Sequence, residues 1–84
     1  YYFNKLTKLY EIILHMSRIE ILGQNIKKYR KMQGLTQTAL AVKLGVSYEF
    51  ICKVERGKEY ISLRKLFELT DILNIDFCNL TNFK

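Results

Sequence analysis

Hydrophobic residues recur along this chain at intervals of three and four, which is the spacing of one face of an α-helix. Short polar breaks that contain glycine, serine or threonine separate the helical stretches, and these residues commonly cap helices. No alternation typical of a β-strand persists for more than a few residues, so the chain is expected to be all-α. The pattern predicts helices over residues 20–33, 37–44, 48–56 and 63–74, followed by a short helix to about residue 82.

The breaks predict where each helix begins and ends. Thr36, Ser47, Ser62 and Asp76 stand at N-cap positions, and a glycine follows each of the first three predicted helices. The inward positions of the helices carry mostly branched aliphatic side chains. The predicted core consists of Leu22, Ile26, Tyr29, Leu40, Ala41, Leu44, Ile51, Val54, Leu66, Leu69 and Leu73.

Residues 1–19 read as an extension in front of a domain that covers residues 20–84. Leu6, Leu9 and Ile13 fall at helical spacing, which is consistent with an additional amphipathic helix. The chain begins with Tyr1, and its first methionine is Met16. Three interpretations stay open for this segment: the chain is a fragment, the segment is a leader upstream of a true start at Met16, or it is an arm that binds a partner or stabilises a dimer.

The joint between the second and third predicted helices is unusually tight, because only residues 45–47 separate them. Gly45 accepts a positive φ at little cost, and Ala41 is small enough for two helices to approach closely. Val46, Ile51 and Val54 would fill the angle between the helices. This pattern predicts a helix-turn-helix, a unit that holds its second helix away from the body of the domain.

Charge adds a candidate partner to this picture. The 84 residues carry a net charge of +6, and residues 24–65 hold ten Lys/Arg against three Glu. A basic block of this kind is typical of a polyanion-binding surface. The alternative is an ordinary solvent-exposed surface that binds no polyanion.

The spacing of Cys52, Cys78 and His15 predicts no metal site, and two cysteines fit a reduced, cytoplasmic setting. Leu9 to Leu14 is too short to span a membrane.

Residues 26–75 resemble the Cro/repressor-type helix-turn-helix domain. The segments GLTQ at 34–37, LGVS at 44–47 and VERGK at 54–58 carry the resemblance through their order and spacing. Ile61 stands where a proline is usual in the family. The resemblance implies a compact, five-helix, lambda-repressor-like fold, and the small size is also similar to controller proteins of restriction–modification systems.

The resemblance also implies roles for individual residues on a DNA-binding face. The third predicted helix, residues 48–56, corresponds to the recognition helix, which enters the major groove in this family. Base contacts are expected from its outer side and its N-cap: Ser47, Tyr48, Glu49, Cys52 and Lys53. Contacts to the DNA backbone are expected from Gln37, Phe50, Arg56, Lys58 and Tyr60. Arg30 and Glu55 match a family pair that joins the first helix to the recognition helix, with Ala41 and Gly45 as further structural support. The alternatives are that Tyr48 and Phe50 are rim aromatics and that Arg30 and Glu55 are unrelated surface charges.

The function expected from the sequence is that of a transcriptional regulator, not an enzyme, that binds double-stranded DNA as a homodimer without a cofactor. No small-molecule effector is evident. Apolar residues of the last two helices, Ile75, Phe77, Leu80 and Phe83, are the expected dimer surface, and Cys78 is expected in the core or at that interface. The alternative is an antitoxin or controller-type protein whose main role is to bind a protein partner. Truncation at Met16 would separate the two hypotheses.

Overall fold

The computed structural model describes residues 16–83, and it contains five α-helices within that range. The predicted helix within the extension falls on residues 1–15, which lie outside the described residues. Residues 16–83 contain no β-strand, so the predicted all-α, five-helix fold is confirmed. In chain order the helices are α1, Arg18–Met32; α2, Gln37–Leu44; α3, Tyr48–Glu55; α4, Leu63–Leu73; and α5, Phe77–Leu80.

Serine and threonine N-caps begin four of the helices. The side-chain oxygens of Thr36, Ser47 and Ser62 accept the backbone N–H three residues further on, at 3.0, 3.1 and 3.2 Å. These three caps confirm the predicted starts of α2, α3 and α4. Asp76 likewise stands at the N-cap of α5, as predicted.

The first helix begins earlier than predicted because Ser17 is its N-cap. The Ser17 hydroxyl accepts the Glu20 N–H at 3.2 Å, and the Glu20 carboxylate accepts the Ser17 N–H at the same distance. This reciprocal pair is a capping box. Hydrogen bonds from the backbone and the hydroxyl of Ser17 lower the pKa of Glu20. The S-x-x-E signature was present in the sequence, and it moves the helix start to Arg18.

The core lies where α1, α2, α3 and α4 meet, and the short α5 closes one end of it. Of the predicted inward residues, Leu22 and Tyr29 are half-buried against this core, while the others are buried. Leu80 was predicted for a dimer surface, and that prediction is wrong: its side chain is fully buried because α5 packs it into the same core. Cys78 on the same helix is exposed, so its alternative placement in the core is also wrong.

Polar side chains tie the C-terminal ends of three helices to neighbouring helices. Lys65 Nζ donates to the Leu44 carbonyl at 2.9 Å, Gln33 Nε2 to the Leu73 carbonyl at 3.0 Å, and Asn25 Nδ2 to the Leu80 carbonyl at 2.9 Å. The last carbonyls of a helix lack partners within that helix, so each bond satisfies a group that needs one. These bonds join α4 to α2, the end of α1 to α4, and α1 to α5.

Candidate nucleic-acid interface

Helix α3 has one buried face and one exposed face. Ile51 and Val54 are buried, whereas Tyr48, Glu49 and Lys53 are exposed. The helix packs against α2 and α1 through its buried face. The outer side of α3 therefore presents a short row of polar and aromatic side chains on a rigid support.

The corner between α2 and α3 has the geometry that the sequence predicts. Gly45 ends α2 with φ 74°, in the left-handed region, and the Val46 N–H donates to the Ala41 carbonyl at 3.0 Å. Ala41 is buried, and Val46 is half-buried against the core. Lys65 caps the same corner from α4 through the Leu44 carbonyl. The turn is thus fixed by backbone conformation, by packing and by a charged cap.

Arg30 and Glu55 form a buried ion pair between α1 and the end of α3. Arg30 Nε lies 2.7 Å from Glu55 Oε2, and its terminal nitrogen donates to Glu55 Oε1 at 3.1 Å. A second terminal nitrogen donates to the Leu35 carbonyl at 2.9 Å. Arg30 and Glu55 therefore form an ion pair, and the alternative that they are unrelated surface charges is wrong. A two-pronged bond of this kind fixes the orientation of both partners.

Gln37, the predicted phosphate contact, is the first residue of α2 and faces α3. Its Nε2 donates to Glu55 Oε1 at 3.0 Å, and its Oε1 accepts the Cys52 thiol at 3.5 Å. The side chain is half-buried, and so is Cys52. Gln37 thus links the two helices of the motif, a bond that the sequence did not predict.

The predicted base contacts differ in how freely they are presented. The Ser47 hydroxyl oxygen accepts the Phe50 N–H in the α3 N-cap bond, and the Cys52 thiol donates to Gln37 Oε1. Glu49 and Lys53 are exposed side chains. The neighbouring Cys52 thiol, through hydrogen bonding and then through its charge, raises the pKa of the Tyr48 phenol above its ordinary value. Tyr48 is itself 49% exposed.

The predicted backbone contacts lie at the end of α3 and in the loop that follows it, apart from Gln37 and Phe50. Phe50 is half-buried against the core, which leaves part of its ring exposed at the edge of α3. Arg56 Nε donates to the Cys52 carbonyl at 3.3 Å, so its guanidinium lies along the end of the helix. Lys58 is exposed, and Tyr60 is 82% exposed. An aromatic side chain this accessible can contact a sugar-phosphate chain.

Gly23 is a supporting residue that the sequence analysis missed. A Cβ at this position would lie 2.3 Å from the Val54 carbonyl oxygen, so α1 and α3 touch backbone to backbone here. The position lies three residues before Ile26, on the inward stripe of α1. A glycine on the buried stripe of a helix is the sequence signal that could have indicated this close approach.

Exposed basic side chains lie on α1 and α2. Lys27, Lys28, Lys31 and Lys43 are exposed, and Lys28 Nζ lies 5.2 Å from the centre of the Tyr29 ring. Within residues 16–83, no group of three or more His, Cys, Asp or Glu residues could hold a metal ion. No helix in that part of the chain is long and apolar enough to cross a membrane. Exposed lysines and the polar side chains of α3 are the kinds of group that contact DNA phosphates and base edges.

A crossed helix pair locked at a glycine corner, with an exposed second helix, defines a helix-turn-helix DNA-binding domain. The model of the Helix-turn-helix family (HTH_3) matches residues 26–80. The chain belongs to this family of transcriptional regulators, a class that is generally not enzymatic. The predicted resemblance and fold are thereby confirmed.

Individual relatives support the same assignment. The HTH-type transcriptional regulator YazB of Bacillus subtilis is 38% identical over 56 residues, which are 67% of this chain and 81% of YazB. Control protein C.SmaI of Serratia marcescens is 36% identical over 62 residues, 74% of each chain. The crystal structure of the restriction–modification controller protein C.AhdI of Aeromonas hydrophila matches with a TM-score of 0.70 and 31% identity, covering 74% of this chain and 94% of that one.

Proposed function

We propose that the protein is a sequence-specific transcriptional regulator that binds a palindromic operator as a homodimer and reads it with α3. The observation that supports this most is the two-sided character of α3. Its inner face is buried, and its last residue, Glu55, forms an ion pair with Arg30. Its outer face carries the exposed side chains of Tyr48, Glu49 and Lys53. An α-helix presented in this way fits the major groove of DNA.

The exposed residues of α3 suit contacts to base edges. Lys53 is a donor for guanine O6 and N7, and Glu49 is an acceptor for the cytosine amino group. The neutral Tyr48 hydroxyl can donate or accept. Ser47 and Cys52 complete the predicted base-contacting set, although both already hold hydrogen bonds within the protein.

Contacts to the DNA backbone would place α3 in the groove. Gln37 lies at the N-terminus of α2, where the partial positive charge of the helix favours a phosphate. Arg56, Lys58 and Tyr60 follow α3, and Phe50 lies at its edge. The neighbouring surface lysines would add sequence-independent attraction that weakens as salt rises.

The homodimer is proposed because one recognition helix reads too few base pairs for high specificity. Apolar side chains on α4 and α5 provide the surface. Leu63 and Phe67 are 57% and 51% exposed, and the Phe67 ring lies 5.2 Å from the ring of Phe77. Phe83 is also partly exposed beyond α5. Leu80 supports this surface from inside the core.

A controller role in a restriction–modification system is a narrower form of the same proposal. The relatives named as a control protein and as a restriction–modification controller support it, since both match about three quarters of this chain. Under the alternative that the main role is to bind a protein partner, residues 1–20 would hold that partner. A variant that lacks residues 1–15 should then lose that partner while it still binds the operator.

Selection of bound duplexes from a random DNA pool tests the proposal, with the oligomeric state measured by analytical ultracentrifugation. We expect an enriched, two-fold symmetric sequence whose half-sites are about 34 Å apart centre to centre. We also expect a dimer that Phe67→Ser shifts toward monomer. Enrichment of a single asymmetric site by a monomer would contradict the homodimer, and no enrichment would contradict sequence-specific binding.

A further inference from the structure

A continuous set of hydrogen bonds runs from α1 through Gln37 to the middle of α3. Arg30 holds Glu55, Glu55 Oε1 accepts Gln37 Nε2 at 3.0 Å, and Gln37 Oε1 accepts the Cys52 thiol at 3.5 Å. Arg30 and Glu55 are buried, and the two middle residues are half-buried. The side chain of Gln37 is therefore held at both ends of its amide group.

These bonds allow only one orientation of the Gln37 amide. An ionised carboxylate only accepts hydrogen bonds, so the amide nitrogen must face Glu55. A thiol can donate, so the amide oxygen faces Cys52. The reversed amide would place its oxygen against the Glu55 carboxylate and leave two acceptors in contact. Glu55 and Cys52 thus act together on a single rotatable group.

The orientation decides what Gln37 can offer to DNA. An amide nitrogen carries two N–H groups, and Glu55 accepts one of them. Within residues 16–83, the other N–H has no hydrogen-bond partner. That group lies on a residue at the N-terminus of α2, where an anion is favoured. A fixed amide is ready to donate there without first losing rotational freedom.

We propose that Cys52 is a positioning residue that acts through Gln37: its thiol fixes the amide so that one N–H is ready for a DNA phosphate. This inference depends on the proposed DNA-binding function and assigns Cys52 a role other than a base contact. A base contact and a positioning role differ in a measurable way. Loss of a base contact changes the preference at one base pair, whereas loss of positioning weakens binding to every sequence variant equally.

The experiment compares the full chain with Cys52→Ala, Gln37→Ala, the double variant and Cys52→Ser. Gln24→Ala is the control, because this side chain is exposed on α1 and has no proposed role in DNA binding or in the dimer. Binding is measured by fluorescence anisotropy to a duplex selected from the random pool and to its single-base-pair variants. Hydrogen exchange of the two Gln37 side-chain amide protons is measured by NMR in the free protein. It reports whether hydrogen bonds hold this amide in the absence of DNA.

For Cys52→Ala we expect affinity about 2- to 10-fold weaker, by the same factor for all duplexes. Cys52→Ser keeps a donor and should restore much of the affinity, and Gln24→Ala should change nothing. The double variant should bind nearly like Gln37→Ala alone, because the proposed effect of Cys52 on phosphate binding runs through that residue. In the free Cys52→Ala protein, exchange of the Gln37 amide protons should become faster.

Three results would overturn the proposal. One is a change in preference at a single base pair in Cys52→Ala, which would make Cys52 a base contact. Another is strict additivity in the double variant, and the third is unchanged amide exchange in the free protein. If the wild-type chain binds none of the duplexes, the proposed function itself is contradicted. The NMR measurement separates this failure from failure of the positioning role, because it needs no DNA.

Discussion

The guanidinium of Arg30 and the carboxylate of Glu55 form a buried, two-pronged ion pair that joins α1 to the last residue of α3. The two shortest N–O distances are 2.7 and 3.1 Å, and the residues are only 6% and 5% exposed. Glu55 also accepts the amide of Gln37 on α2. One carboxylate therefore holds three helices at the angle that presents α3.

Removal of either partner should destabilise the domain strongly. Arg30→Ala or Glu55→Ala leaves the other charge buried and unpaired, and we expect a loss of about 3–5 kcal/mol in the free energy of unfolding. The double variant Arg30→Met with Glu55→Leu replaces both charges by apolar groups, so it should lose less than either single variant. Urea unfolding measures all three. A double variant that loses the sum of the two single losses would contradict the paired role.

Gly45→Val should destabilise the corner through backbone strain alone. No heavy atom outside the immediate chain lies within 4 Å of a Cβ at this position, but φ is 74°. We expect a loss of about 1–2 kcal/mol for a side chain in the left-handed region. Gly45→Asn is the matched control, since Asn74 ends α4 in the same region with φ 54°. Equal unfolding midpoints for the valine and asparagine variants would show that strain at this turn is unimportant.

Gly23→Ala should be destabilising, which reverses the usual effect of this change within a helix. Alanine is favoured over glycine in an exposed helix by about 1 kcal/mol. Here the added methyl group would meet the Val54 carbonyl oxygen at 2.3 Å, and backbone atoms cannot move aside cheaply. We expect a net loss of about 1–3 kcal/mol by thermal or urea unfolding. Gln24→Ala, on the exposed face of the same helix, provides the comparison. A Gly23→Ala protein as stable as wild type would contradict the close contact of α1 and α3.

Lys53→Ala and Lys58→Ala should weaken DNA binding in different ways. Loss of Lys53 should relax the preference at one base position and reduce specific binding by about 1–3 kcal/mol. Loss of Lys58 should weaken binding to all duplexes alike and reduce the salt slope by about one. Titrations at several salt concentrations with the selected duplex and its variants measure both effects. Equal losses from Lys53→Ala on all sequences would make Lys53 a phosphate contact.

The sequence predicts the helices and the corner well because their signals are local. Thr36, Ser47 and Ser62 cap helices where they stand, and Gly45 adopts the positive φ that its position requires. The missed start of α1 was equally local, since Ser17 and Glu20 form a recognisable capping box. The helical spacing of apolar residues likewise predicted most of the buried core residues.

The other errors come from features that depend on tertiary packing. Leu80 reads as a surface residue on a short amphipathic helix, but the docking of α5 buries it. The backbone contact at Gly23 depends on where α3 crosses α1. The bonds of Gln37 to Glu55 and Cys52 connect residues 15 to 18 positions apart, and no pattern in the sequence specifies them. The family resemblance supplied the Arg30–Glu55 pair, which spacing alone would not have revealed.

Methylation interference on the selected duplex is the most direct test of the claim that α3 reads the major groove. Dimethyl sulfate methylates guanine N7 in the major groove and adenine N3 in the minor groove, so one reaction probes both faces of the DNA. We predict that N7 methylation of guanines in each half-site prevents binding, and that Lys53→Ala removes this effect at one guanine per half-site. Interference confined to adenine N3, with guanine N7 methylation tolerated throughout, would contradict the account.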